Sequence, residues 1–281
     1  MNKDMNTVDF DALVDEIRTK TPAEGDYTGE DGLIYCGKCR TAKQFRMESG
    51  PMAGKLFPRR CKCEQELFDK EQAEQEKRRH AMTVDRLKQE CFSDSAMREW
   101  TFANDNGKCA QMDKAHFYVN HFEAMRKDNF GYLLWGGVGT GKSFFAGCIA
   151  NALMEKEIPV RMTNFSAVMN DLMGCFEGRN EYIARLCRYP LLILDDFGME
   201  RETEYALEQV YHVIDSRWRS GKPLIVTTNL SLEQIQNPSD TAHARIYDRL
   251  LELCVPIRFE GGSMRKETAQ VKMNRLKSMM D

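Results

Sequence analysis

The stretch Leu133–Gly147, LLWGGVGTGKSFFAG, decides the fold. A short apolar run reads as a buried strand, and from Ser143 onward the pattern reads as a helix. Between them Gly136, Gly141, Lys142 and Ser143 satisfy the spacing G-x-x-x-x-G-K-[ST]. That spacing suits a loop whose backbone N–H groups turn inward around phosphates, with the lysine reaching the β and γ phosphates and the hydroxyl on magnesium. The positive end of the following helix adds to the attraction. Residues Gly136, Gly137, Val138, Gly139, Thr140, Gly141, Lys142, Ser143 and Phe144 are therefore the expected nucleotide cradle.

Outward from this loop, apolar runs alternate with helical patterns. Strands are expected at Tyr132–Trp135, Val160–Asn164, Leu191–Asp195, Leu224–Asn229 and Cys254–Phe259. Helices are expected at Ser143–Lys156, Phe165–Phe176, Glu204–Ser220 and His243–Leu253, with a basic helical tail after Gly262. Short apolar strands alternating with helices mean a parallel sheet covered on both faces, an α/β fold of five strands. Ahead of it, Ala110–Lys127 reads as a helix with Phe117, His121 and Met125 on one face, and Phe102–Lys108 as a loop.

The strand LLILDDFGME, Leu191–Glu200, delivers two carboxylates at its end. Asp195 stands where an acid would hold Mg²⁺, and Asp196 where a second acid would orient and deprotonate a water. Aspartate is one methylene shorter than the glutamate often found there, and catalysis is sensitive to placement at about the 1 Å scale. Modest turnover is the expectation; the competing reading of Asp196 is a helix cap or a support for its neighbour. LIVTTNL places Asn229 at another strand end, poised toward the γ-phosphate or the water. RIYDRLLE sets Arg245 and Arg249 one helical turn apart; either could act across a subunit boundary, or could form a surface ion pair with Asp248 or Glu252. GGSMRKE presents Arg265 as a residue closing over the nucleotide.

Ten cysteines divide into two kinds. Cys36, Cys39, Cys61 and Cys63 form C-x₂-C, a spacer of 21 residues, and C-x-C. Four thiolates around tetrahedral Zn²⁺ suit a small module without a hydrophobic core; an iron–sulfur cluster is the second reading. The scattered thiols read as reduced core residues. Between Cys36 and Cys63 the bases Lys38, Arg40, Lys43, Arg46, Lys55, Arg59, Arg60 and Lys62 face the single acid Glu48, so the module could grip phosphate or an acidic protein face.

The 281 residues are 42% hydrophobic and 30% charged, with a net charge of −3, so any nucleic-acid site must be a local patch rather than a property of the whole. No run reaches the roughly 18 apolar residues of a membrane span and the first residues lack a signal-peptide core; a cytoplasmic protein with no membrane partner is expected. Val8–Lys20 reads as a short helix and Glu64–Glu90 as a charged, weakly amphipathic one. The expected organisation is a polar segment (1–35), a zinc-binding module (36–63), a charged helical linker (64–91) and a nucleotide-binding domain (92–281).

GGVGTGKS, LLILDDFG, TTNL, RIYDRL and GGSMRKE occur in the order seen in AAA+ ATPases of the DnaC/DnaI-like helicase-loader family, often carried by phages and prophages, which this chain resembles from about Phe92 onward. The resemblance implies a P-loop AAA+ domain behind a zinc-bearing front part. It implies a slow, partner-stimulated ATPase that binds a hexameric replicative DNA helicase and escorts it onto single-stranded DNA, assembling with itself under control of ATP or partners. By position Arg249 matches the family's arginine finger, Asn229 its sensor 1 and Arg265 its sensor 2. Loader relatives also place a DNA-contacting helical insertion near Arg179, Arg185 and Arg188, where Phe176, Tyr182 and Tyr189 interleave; basic and aromatic residues together fit a stacking groove, and ordinary helix surface and core is the plainer reading. Two other functions fit the same motifs. One is an IstB-like ATP-dependent transposition helper on duplex DNA, a group that usually lacks a four-cysteine front module. The other is an adaptor that binds ATP without hydrolysing it.

Overall fold

The computed structural model describes residues 23–107, 109–174, 178–198 and 203–280, and the side chains of all of these except 264, 265, 267 and 268. The expected helix Val8–Lys20, Phe176 and the side chain of Arg265 lie outside the described residues. The chain divides between Arg79 and His80 into two compact units.

In the first unit, two short antiparallel pairs precede a long helix: β1 (Tyr27–Thr28) with β2 (Ile34–Tyr35), and β3 (Gln44–Arg46) with β4 (Leu56–Pro58). None of these strands was legible in the sequence, because each is only two or three residues long. Among the described residues of this unit the buried side chains are Cys36, Ala42 and Cys61. That is too little apolar surface to hold a fold together. Helix α1 (Lys62–Cys91) begins here; it is exposed for most of its length and buries Val84, Leu87 and Cys91 near its end, within the second unit.

The second unit is the α/β fold. Its strands are β5 (Gly131–Gly136), β6 (Val160–Asn164), β7 (Leu191–Phe197), β8 (Leu224–Thr228) and β9 (Cys254–Phe259), all parallel in the order β6-β7-β8-β5-β9. The helices in chain order are α2 (Met112–Asn120), α3 (Phe122–Lys127), α4 (Lys142–Glu155), α5 (Phe165–Gly174), α6 (Arg179–Arg188), α7 (Glu204–Arg219), α8 (Leu232–Gln236), α9 (Thr241–Leu253) and α10 (Met264–Met280). Both sheet faces are covered, which is why the strands read as unbroken apolar runs. Leu191, Ile193, Ile225 and Ile257 pack on the face shared with α2 and α4. Leu192, Leu194, Leu224 and Val226 pack on the face shared with α5, α6, α7 and α9. Among the described residues no helix is long and apolar enough to cross a membrane.

One expectation is corrected. The helix expected over Ala110–Lys127 is two helices, broken at His121 (φ −113°, ψ 23°). Its inward face is Met112, Ala115, Tyr118, Val119 and Phe122, while Phe117 is exposed and stacks on His121 at 4.2 Å; spacing alone could not say which of two apolar stripes faced the sheet. Around α6 the plainer of the two readings fits the described residues: Tyr182 is buried with its hydroxyl donating to Asp171 (2.7 Å), and Tyr189 packs against the core.

A cation is buried at the amino ends of the strands. Arg217 is fully buried and its guanidinium donates to the carbonyls of Cys187, Tyr189, Pro190 and Pro223, tying the chain entering β7 to the chain entering β8. Burial pushes its pKa down to about 10, still high enough to keep it charged at neutral pH. Arg217→Met takes this donor from the Tyr189, Pro190 and Pro223 carbonyls, while Cys187 O keeps Lys222 Nζ (3.3 Å), so urea unfolding should show a loss of about 3 kcal/mol or more in the nucleotide-binding unit. A loss below about 1 kcal/mol would mean the carbonyls find other partners.

Candidate functional site

The sheet order brings the ends of β5, β7 and β8 together at the carboxyl edge, where chains reverse direction and open sheets bind ligands. The loop after β5 is shaped by its glycines. Gly136 has φ +140° and lies so close to β9 that a Cβ would strike the Phe259 carbonyl oxygen. Gly141, at φ +95°, is the left-handed residue that opens α4. Lys142 is buried, its ammonium donating to Gly136 O (2.9 Å), Gly137 O (2.7 Å) and Asn229 Oδ1 (2.9 Å). The loop lysine and the asparagine after β8, 87 residues apart in sequence, thus lie side by side.

A cavity of about 860 Å³ opens over this loop, lined by Val138 to Phe144, Asp196 and Asn229. Trp100, Asn104, Asp105, Asn106 and Cys109 line it from the segment before α2, and Ala269 and Lys272 from α10. These last two groups were missed by sequence reasoning, since no motif marks them. Asn151 holds the first in place: its side-chain amide donates to Met97 O (2.9 Å), Trp100 O (2.9 Å) and Gly147 O (3.0 Å).

Asp195 and Asp196 differ sharply although adjacent. The alternation that sends Leu191 and Ile193 toward α4 sends Asp195 there too, buried beside Ser143 at the start of that helix. Burial pushes its carboxyl above the ordinary range, against the pull of hydrogen bonds from Thr227 and Ser143 and of the Lys142 charge. Asp196 is exposed, left-handed (φ +54°), and faces the cavity. It is the extra residue of a β-bulge: Leu194 pairs with Val226 and Phe197 with Thr228, so two aspartates oppose Thr227 alone. Phe197 accordingly rejoins the face of Leu192 and Leu194.

Arg249 lies outside the cavity. Its guanidinium stacks 4.1 Å from the Trp218 ring centroid and approaches Glu252 (3.1 Å) and Asp215 (3.6 Å). Arg245 is exposed and has no partner among the described residues.

In the first unit Cys36, Cys39, Cys61 and Cys63 converge, their sulfurs all within 4.8 Å of one another. Cys36 Sγ is 3.6 Å and Cys61 Sγ 3.3 Å from Cys63 Sγ. A tetrahedral metal with Zn–S bonds of about 2.3 Å would set S···S edges of about 3.8 Å, so the donor set is consistent with zinc. The thiols pull apart electrostatically. Hydrogen bonds, from the Thr41 hydroxyl first, lower Cys39 to about 5, while burial and then the neighbouring thiols push Cys61 up to about 12. A divalent cation would relieve that conflict.

A parallel five-stranded sheet with this loop, two acids at a neighbouring strand end and an asparagine beside the lysine defines a P-loop AAA+ ATP-binding protein. The chain belongs to the IstB-like ATP binding protein family, whose sequence profile matches residues 62–272, and it is related to the DnaC/DnaI helicase loaders. It is 31% identical over 137 residues to an ATP-binding protein in an insertion sequence of Mycobacterium tuberculosis, covering 47% of this chain and 55% of that one. It is 27% identical over 147 residues to the replicative helicase loader DnaI of Bacillus subtilis, covering 48% and 47%. The alignments span about half the length of these relatives. The crystal structure of a DnaI superposes with a TM-score of 0.51 at 20% identity, covering 62% of this chain and 95% of that one, a likeness of fold.

The cysteine cluster makes its own prediction. The purified protein should carry one zinc per chain by elemental mass spectrometry, Cys39→Ser and Cys61→Ser should each abolish it, and affinity should fall as pH is lowered, since the ligands must be thiolates. Full metal content in either variant would remove these residues from the ligand set.

Proposed function

We propose that this protein is an ATP-driven loader that holds a hexameric replicative DNA helicase and delivers it onto single-stranded DNA, with slow ATP hydrolysis as the timing step. The observation that carries this reading is the four-cysteine module ahead of a complete nucleotide site. The family match covers residues 62–272 and leaves Cys36, Cys39 and Cys61 ahead of it, in a module suited to grip a partner. Kinship with DnaI supports the choice of partner. In this reading residues 36–63 dock, 64–91 connect and 92–281 respond to nucleotide.

The loop N–H groups and Lys142 hold the triphosphate, and Phe144 and Trp100 flank its base. Ser143 and Asp195 hold the magnesium ion, which when bound neutralises phosphate charge. Asp196 takes a proton from the attacking water, and Asn229, already beside Lys142, orients it. Arg265, by its place in the motif order, is the residue assigned to close over the nucleotide. Of the two arginines on α9, Arg249 is the family's finger by position but is engaged within its own subunit; Arg245 has its charge available to a neighbouring copy. A second reading, a transposition helper on duplex DNA, is favoured by the insertion-sequence relative.

ATP turnover of the purified protein, alone and with single strands, duplex or the replicative helicase of its own cell, separates these readings. Stimulation by single strands or helicase is expected, with turnover lost and ATP binding kept in Asp196→Asn. Stimulation by duplex alone selects the transposition helper, and ATP binding without turnover under any condition selects a passive adaptor. Arg245→Ala should reduce stimulated turnover about 100-fold or more with thermal stability unchanged, whereas Arg249→Ala should lower the melting temperature and keep the stimulation. Full stimulated turnover in Arg245→Ala would return the trans-acting role to Arg249.

A further inference from the structure

We infer that Thr227 is the positioning residue of the hydrolytic site, fixing both aspartates at once through a single hydroxyl. This rests on the reading of Asp195 as the metal-holding acid and Asp196 as the water-activating one. Thr227 is fully buried in the middle of the sheet, where a valine would satisfy packing equally well. Its Oγ1 instead donates to Asp195 Oδ1 (2.6 Å) and accepts from the backbone N–H of Asp196 (3.0 Å).

Each bond answers a specific need. Asp195 is buried, and desolvation opposes its charge; a short bond from a neutral hydroxyl favours the carboxylate and fixes which oxygen points toward Ser143. Asp196 is the extra residue of the bulge, left without a regular ladder partner and held at φ +54°, a conformation a non-glycine residue keeps only where its surroundings enforce it. The Thr227 oxygen takes the N–H that the ladder cannot. The carboxylate of Asp196 then faces the cavity instead of the core. One hydroxyl therefore couples the place where charge is held to the place where a proton is taken.

The next residue supplies the control. Thr228 is equally buried, and its Oγ1 donates to Phe197 O (2.8 Å) and accepts from Leu230 N–H (3.1 Å). It thus closes the far side of the same bulge through backbone groups alone, touching neither carboxylate. If hydroxyls in this strand serve only to brace the sheet, the two threonines are equivalent.

The experiment compares Thr227→Val, Thr227→Ser and Thr228→Val in the full-length protein. It measures the Kd for a fluorescent ATP analogue in magnesium and in EDTA, and kcat and KM for ATP. For Thr227→Val we expect an unchanged Kd in EDTA, a gain in affinity from magnesium cut by about 10-fold, and kcat reduced about 10- to 100-fold with KM little altered. Thr227→Ser should restore both to within about 3-fold, and Thr228→Val should lower the melting temperature while keeping the magnesium gain and kcat. Wild-type magnesium gain and kcat in Thr227→Val, or equal losses in the two valine variants, overturn the assignment. Should Thr227→Val fail to fold, Thr227→Ala against Thr227→Ser isolates the hydroxyl with the same expected and contrary results. A wild type that binds magnesium-ATP without turnover refutes the role of Asp196, and the magnesium arm then decides for or against Thr227. A wild type indifferent to magnesium refutes both readings.

Discussion

Two charged side chains, Lys142 and Asp195, are buried at the carboxyl edge of an otherwise apolar sheet, and the architecture around them is organised to keep them there. A buried charge is tolerated only when it is paired or hydrogen-bonded. Lys142 meets two loop carbonyls and Asn229, and Asp195 meets the hydroxyls of Thr227 and Ser143. Those partners come from β5 and the loop after it, from α4, and from β8 and the residue after it, while Asp195 itself ends β7, so the pocket exists only when the parallel order β7-β8-β5 is complete. Arg217 at the opposite edge does a related job, tying the entries to β7 and β8 together.

The same constraint explains why the second acid sits in an uncommon backbone conformation. A regular strand would turn Asp196 toward the face occupied by Leu192 and Leu194, where an unpaired carboxylate could not stay charged. The bulge spends one residue to lift Asp196 into the cavity and return Phe197 to that apolar face.

Much of this was legible in the sequence, for physical reasons. All five strands fell within about two residues of their observed ends, because strands buried on both faces read as apolar runs. The phosphate loop needed no tertiary information, and the four cysteines announced their own convergence. What escaped depended on contacts between distant segments. Thr227 drew no notice in the sequence because its contacts with Asp195 and Asp196 form only when β7 is set beside β8 with a slipped register. Trp100 and Lys272 reach the cavity from segments with no motif. Phe117 and His121 do share a face, as the spacing said, but the spacing did not reveal that this face points to solvent. Arg249 matched a family position, yet its partners Trp218 and Asp215 lie on another helix.

The most direct test of the account is the affinity for ATP of the wild type and of Asp195→Asn, each with magnesium and with EDTA. If Asp195 is the magnesium acid of this pocket, magnesium tightens ATP binding at least about 10-fold in the wild type and leaves Asp195→Asn nearly unchanged. An equal magnesium effect in both proteins would contradict the central claim and place the metal elsewhere.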